Sequence, residues 1–142
     1  MGLEDKVKAF YERSLEYINY KMGSLSGLLG GGVVFYINLG HGFGPASGAF
    51  GKQFLYNVFV GGFNLRTCER LAKKISSKPL ALLSATIVPT VQAFIINYAI
   101  HKLGETPEAF DSSIWQVYCN APIFFGFGLY YEKRNEEQNE NC

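Results

Sequence analysis

The chain has 142 residues, 13 Lys plus Arg against 12 Asp plus Glu, and 48% hydrophobic content. These totals alone suit a soluble domain, and a net charge of +1 excludes the strong basic field expected of a nucleic-acid binder. The distribution changes that reading, because eleven of the thirteen basic residues fall in three clusters separated by long uncharged stretches.

Residues 1–21 hold the first cluster, Lys6, Lys8, Arg13 and Lys21. Between Leu3 and Tyr20, Leu3, Val7, Phe10, Tyr17 and Ile18 recur at helical spacing among charged residues. This predicts an amphipathic helix lying on the cytoplasmic membrane surface. A cleavable signal peptide is excluded, since no apolar core precedes residue 22.

Residues 22–134 then read as a four-span transmembrane domain, an all-α four-helix bundle with spans at about 22–40, 50–66, 80–100 and 112–131. Met22 to Gly51, Pro79 to Ile100 and Ser112 to Tyr131 give 30, 22 and 20 residues without a formal charge. Gly42, Gly44, Pro45, Ser47, Gly48 and Gly51 read as a glycine-rich connector. Span two is short, because Lys52 and Arg66 leave only Gln53 to Leu65 uncharged, about 20 Å of helix. Its crossing is required to put the cluster Arg66, Arg70, Lys73, Lys74 and Lys78 on the same side as the first cluster and as Lys133 and Arg134. Pro89 predicts a kink in span three, and residues 135–142 read as a disordered polar tail.

Phe35, Ile37 and Asn38 reappear as Phe94, Ile96 and Asn97, and Gln53 with Asn57 reappears as Gln116 with Asn120, each of these pairs four apart. The pattern suggests two parallel copies of a helical hairpin, although Asn38 to Gln53 is 15 residues and Asn97 to Gln116 is 19. Primary amides facing lipid are costly, so Asn38, Gln53, Asn57, Gln92, Asn97, Gln116 and Asn120 are expected to form a polar core. They either bond helices together or line a polar path. Gly23, Gly27 and Gly31 form a small-residue ridge suited to close helix packing, within the chain or between protomers.

His41 and His101 are expected to pack at the outer ends of their spans, and no metal or cofactor motif accompanies them. Cys68, Cys119 and Cys142 lack CxxC spacing, and an odd count argues against a disulfide framework. Cys68, beside the basic run, is either a palmitoylation site or an inert thiol. No nucleophile, base and orienting group stand together, so catalysis is not expected. Ionisable groups are missing from the middle of spans one, three and four, which disfavours an ion-coupled pump. The expectation is a noncatalytic structural or accessory subunit, with membrane lipids, other membrane subunits or its own copies as partners. Arg66, Arg70, Lys73, Lys74 and Lys78 are the candidate contacts for anionic lipid. A small facilitator or lipid translocator with an Asn/Gln-lined core is the alternative. Both termini are placed in the cytoplasm, and a prokaryotic plasma membrane is the expected location.

Overall fold

The computed structural model describes the backbone of residues 2–140, and the side chains of these except 135, 136 and 138–140. It is all-helical: 89% of the described residues are helical and none of them lies in a strand. Two of the helices, Tyr20–His41 and Lys78–Leu103, are long and apolar enough to cross a membrane.

Helix α1 (Leu3–Ser14) buries none of its residues. It ends six residues before the Tyr20 limit read from periodicity. The reason is local: Asn19 caps the next helix, its Oδ1 accepting from Met22 N at 3.2 Å, so the chain must turn before it. Tyr20 O–H donates to Ser14 Oγ at 3.0 Å and its ring stacks on Tyr11, which fixes the turn.

Helix α2 (Tyr20–Asn38) is followed by a short 3₁₀ turn, Leu39–His41, and by Gly42 at φ 100°. Gly42 is the hinge, because that backbone conformation disfavours side chains. Helix α3 (Phe43–Tyr56) starts immediately after it. The expected glycine connector is therefore helical from Phe43, and Pro45 is tolerated because it lies in the first turn, where backbone N–H groups have no helical partner. Gly44 and Gly48 meet nothing within 4 Å and serve no turn.

From α3 the chain passes through a π-helical turn, Asn57–Gly61, into α4 (Gly62–Lys74). Residues 43–74 thus form one continuous helix much longer than the expected span at 50–66. Lys52 and Arg66 do not limit it, because each side chain finds polar partners at its own end of the bundle. Gln53, Asn57, Asn64 and Cys68, spaced by 4, 7 and 4 residues, all lie on the inner side of this helix. Gly62 lets the α1–α2 link approach: a Cβ there would meet Ile18 Cγ2 at 2.8 Å, and Asn19 N donates to the Gly62 carbonyl at 3.1 Å.

Helix α5 (Lys78–Leu103) runs unbroken through Pro89, which is fully buried. Helix α6 (Ala109–Glu140) includes Pro122 and continues to Glu140. Residues 135–140 are therefore helical where their polarity suggests disorder, consistent with the high helix propensity of Glu and Gln. Asn141 and Cys142 lie outside the described residues. The elements pair as two hairpins: α2 lies along α3 and the π turn, and α5 along α6, with α4 packed on α5 and α6. Helices α2 and α6 touch only sparingly, which leaves a cleft between them.

The three basic clusters meet at one end of this bundle. Arg66 Nη2 donates to the Leu15 carbonyl at 3.3 Å, Arg70 donates to the Glu16 carbonyl at 3.2 Å, and Lys73 lies 5.5 Å over the Tyr131 ring. His41, Lys52, His101 and Glu108 gather at the other end.

Candidate functional site: a buried polar core

The interior is polar and the exterior apolar. Asn38, Gln53, Asn57, Asn64, Asn97, His101, Ser112, Ser113 and Gln116 are buried, and the buried apolar residues around them are mostly small. Leu, Ile, Val and aromatic side chains point outward on every long helix, among them Leu29 at 67% exposure, Phe59, Ile95 at 59% and Tyr118 at 75%.

Three groups of hydrogen bonds organise the core. At the end opposite the basic clusters, Lys52 Nζ donates to the Gly104 carbonyl and to Thr106 Oγ1. Thr106 Oγ1 lies 3.0 Å from His101 Nδ1, and His101 Nε2 lies 3.0 Å from Gln53 Oε1. Because Gln53 Oε1 can only accept, Nε2 carries the ring proton and donates to it, which leaves Nδ1 to accept from the Thr106 hydroxyl. His101 is thus a fully buried junction, not the interfacial packing residue expected from its place near a span end. His41, by contrast, is exposed and pairs with Glu108 Oε1 at 2.8 Å.

In the second group Asn38 Nδ2 donates to Ser112 Oγ and to the Val34 carbonyl, both at 2.9 Å, while its Oδ1 accepts from Glu108 N at 3.1 Å. Asn97 Nδ2 donates to the Ser112 carbonyl at 3.4 Å. The two asparagines of the repeated Phe-x-Ile-Asn motif therefore converge on one residue of α6.

The third group lies at mid-bundle. Gln116 Nε2 donates to Asn57 Oδ1 at 2.9 Å, and Asn57 Nδ2 donates to the Ser26 carbonyl at 3.1 Å, joining α6, the π turn and α2. Tyr56 O–H donates to the Ala93 carbonyl at 2.9 Å and ties α3 to α5.

Five of the seven expected core amides are brought inside: Asn38, Gln53, Asn57, Asn97 and Gln116. Gln92 is not among them. It is half-buried on the outer face of α5 beside Ile87, Val88, Val91, Ile95 and Ile96, since it falls one residue before the buried line through Ala93 and Asn97. Asn120 is half-buried at the edge of the α2/α6 cleft. Asn64, His101, Ser112 and Ser113 were missed by the sequence reading. Asn64 follows Asn57 by seven residues, two helical turns, a spacing that signals it. The serines carry no such signal, because Ser is common in helices of any environment.

The glycine ridge packs internally. A Cβ at Gly23 would meet the Val58 and Asn57 carbonyl oxygens at 2.6 and 2.7 Å, at Gly27 the Phe54 carbonyl oxygen at 3.0 Å, and at Gly31 the Phe50 ring at 2.9 Å. Of the candidate lipid-binding cations, Arg66 and Lys73 hold Glu69 between them at 2.9 and 2.7 Å, and Arg70 lies 4.6 Å over the Tyr17 ring. Lys74 ends α4 and Lys78 opens α5, both exposed. Burial pushes the Glu69 carboxyl upward, but the hydrogen bonds from Lys73 and Arg66 outweigh it and hold the pKa below the usual value. Cys68 is fully buried, its S–H facing the Phe124 carbonyl at 3.4 Å, which is the environment of an inert thiol and not of a palmitoylation site.

Among the described residues no three His, Cys, Asp or Glu side chains stand close enough to hold a metal ion. Comparison with known proteins finds no matching family model, no similar curated protein and no similar solved structure.

Proposed function

We propose that this chain is a small integral membrane protein whose four long helices all cross the bilayer, and that it serves as a noncatalytic structural subunit of a membrane assembly. The observation that carries this reading is the inversion of polarity: amides inside, Leu, Ile, Val and Phe outside on every long helix. In water such a surface would be a large aggregation liability, and the interior would offer little hydrophobic burial. In lipid both features become favourable. Apolar side chains cost nothing toward acyl chains, small residues permit close packing, and interhelical hydrogen bonds contribute about 0.6–2 kcal/mol each.

Lengths support the same topology. At 1.5 Å per residue, residues 43–74 and Ala109–Glu140 give about 48 Å each, more than the ~30 Å hydrocarbon core. The excess extends past the basic end, where Arg66, Arg70, Lys73 and Lys133 suit a cytoplasmic interface. Helix α1, with Leu3, Val7 and Phe10 exposed in one line, then lies along that interface or against a subunit docked there.

The pairing of the amides favours a structural role over conduction. Asn38, Asn57 and Gln116 hold one another's helices or backbone, whereas a polar path needs such groups open to a passing solute.

Single-cysteine labelling with a membrane-impermeant reagent tests the topology, in a background without Cys68, Cys119 and Cys142. Gly40→Cys and Pro107→Cys should react from outside, and Ser76→Cys and Gln138→Cys only after permeabilisation. Reaction of position 76 from outside refutes the second crossing. Copurification in mild detergent then tests the assembly, and a chain that always emerges alone and monomeric refutes the subunit role.

A further inference from the structure

The cleft between α2 and α6 encloses a cavity of about 210 Å³. Its inner end is formed by Gly30, Asn57 and Gln116, the last only 3% exposed, and its outer end by Leu29 and Ile123, which are 67% and 48% exposed. The outer residues belong to the apolar surface, so the cavity opens toward the acyl chains if the membrane reading above is right.

The polarity of its inner end is fixed by the hydrogen-bond chain. The Ser26 carbonyl can only accept, so the Asn57 group facing it must be the NH₂. Asn57 then presents Oδ1 to Gln116, which must answer with Nε2. That leaves Gln116 Oε1 as a buried acceptor without a partner. Trp115 Nε1, from the adjacent residue lining the same cavity, is a buried donor without a partner. Buried polar groups left unsatisfied are costly, so an occupant that satisfies both is favoured. Gly30 is required for this geometry, because a Cβ there would meet Asn57 Nδ2 at 2.8 Å.

We propose that this cavity binds the hydroxyl group of a neutral, long-chain amphiphile drawn from the bilayer. A hydroxyl both donates, as Gln116 Oε1 requires, and accepts, as Trp115 Nε1 requires. No charged side chain lines the cavity, which disfavours phosphate, carboxylate and ammonium headgroups. The apolar mouth at Leu29 and Ile123 suits the chain that follows the headgroup.

Cys119 lines the cavity and reports its occupancy. The full-length protein carrying Cys142→Ser is reconstituted in phosphatidylcholine vesicles, and the rate of Cys119 alkylation by N-ethylmaleimide is followed. Hexadecanol should slow the reaction, while its methyl ether, which cannot donate, should need about five- to tenfold more for the same protection, the scale of one net hydrogen bond. Hexadecane should not protect. Gln116→Leu should abolish the preference for alcohol over ether. If that variant does not fold, Ile123→Trp on the outer surface decides instead, by closing the mouth and removing protection altogether.

Equal protection by alcohol and alkane overturns the proposal and leaves an apolar crevice only. Unaltered rates with every additive mean a cavity filled by water alone, and protection that persists in Ile123→Trp places the alcohol elsewhere; both also overturn it. Failure of the protein to float with the vesicles before any additive would instead refute the membrane reading on which this inference rests.

Discussion

Gln116 and Asn57 come from opposite hairpins of the fold, 59 residues apart, and their carboxamides meet at 2.9 Å in the middle of the bundle. The bond joins α6 to the π turn between α3 and α4, and Asn57 relays it to the Ser26 carbonyl of α2. Three elements are thus held by two amides. Replacing Asn57 by Leu should destabilise the protein by about 1–3 kcal/mol, because Gln116 loses its acceptor in a water-poor interior. Adding Gln116→Leu to that variant should cost less than it does alone. Unfolding in mixed micelles across the double-mutant cycle measures the coupling, and additive losses would show that the two side chains do not interact.

Gly23 supports a second prediction, since its Cα lies against main chain rather than a movable side chain. A methyl group there would press on two carbonyl oxygens at 2.6 and 2.7 Å, so Gly23→Ala must push α2 off the π turn. Gly32, on the same helix, has nothing within 4 Å, and Gly32→Ala should be neutral or stabilising by up to about 1 kcal/mol through helix propensity. The thermal unfolding midpoint should fall for Gly23→Ala and stay level or rise for Gly32→Ala. Equal shifts would remove the ridge from the packing of α2.

These contacts show how far the sequence was legible. The helical architecture followed from uncharged stretches, whereas the contacts of Arg66, Arg70 and Lys73 with residues 15–17 and 131 could not be read from charge clustering, which carries no pairing information. Five core amides followed from the cost of exposing them to lipid. Helix ends were less legible: Gly42, Gly44, Pro45 and Gly48 all read as loop-formers, yet of these four only Gly42 carries a positive φ. The π turn was invisible because no residue type specifies it. His101 was misjudged because its partners, Gln53 and Thr106, lie on other segments.

Thiol reactivity separates Cys68 from Cys119. Cys68 has no exposed surface and its S–H faces a backbone carbonyl, whereas Cys119 is half-buried beside a cavity. With Cys142 replaced by Ser, a membrane-permeant maleimide should modify Cys119 at least tenfold faster than Cys68 under native conditions, and both at similar rates after denaturation. Mass spectrometry of the digested protein reads the two sites separately. Comparable native rates would mean that α4 does not pack on α6 at Phe124 as described.

Glu69 provides the acid dependence. It sits between Arg66 and Lys73, and the hydrogen bonds from these cations hold its folded pKa below the usual carboxylate value despite its burial. A folded pKa lower than the unfolded one means that the unfolded state binds the proton more readily. The stabilisation is therefore fully present above the unfolded value and is lost as pH falls through the folded one. Both cations are partly solvent-exposed, which limits the effect to about 0.5–1 kcal/mol at neutral pH. Glu69→Gln should lower the melting temperature at pH 7 and 150 mM salt, with the difference shrinking as pH falls below about 4. High salt should also shrink it, because partly exposed charges are screened. A difference that stays constant from pH 7 to pH 3 would show that Glu69 acts through packing of its side chain and not through its charge.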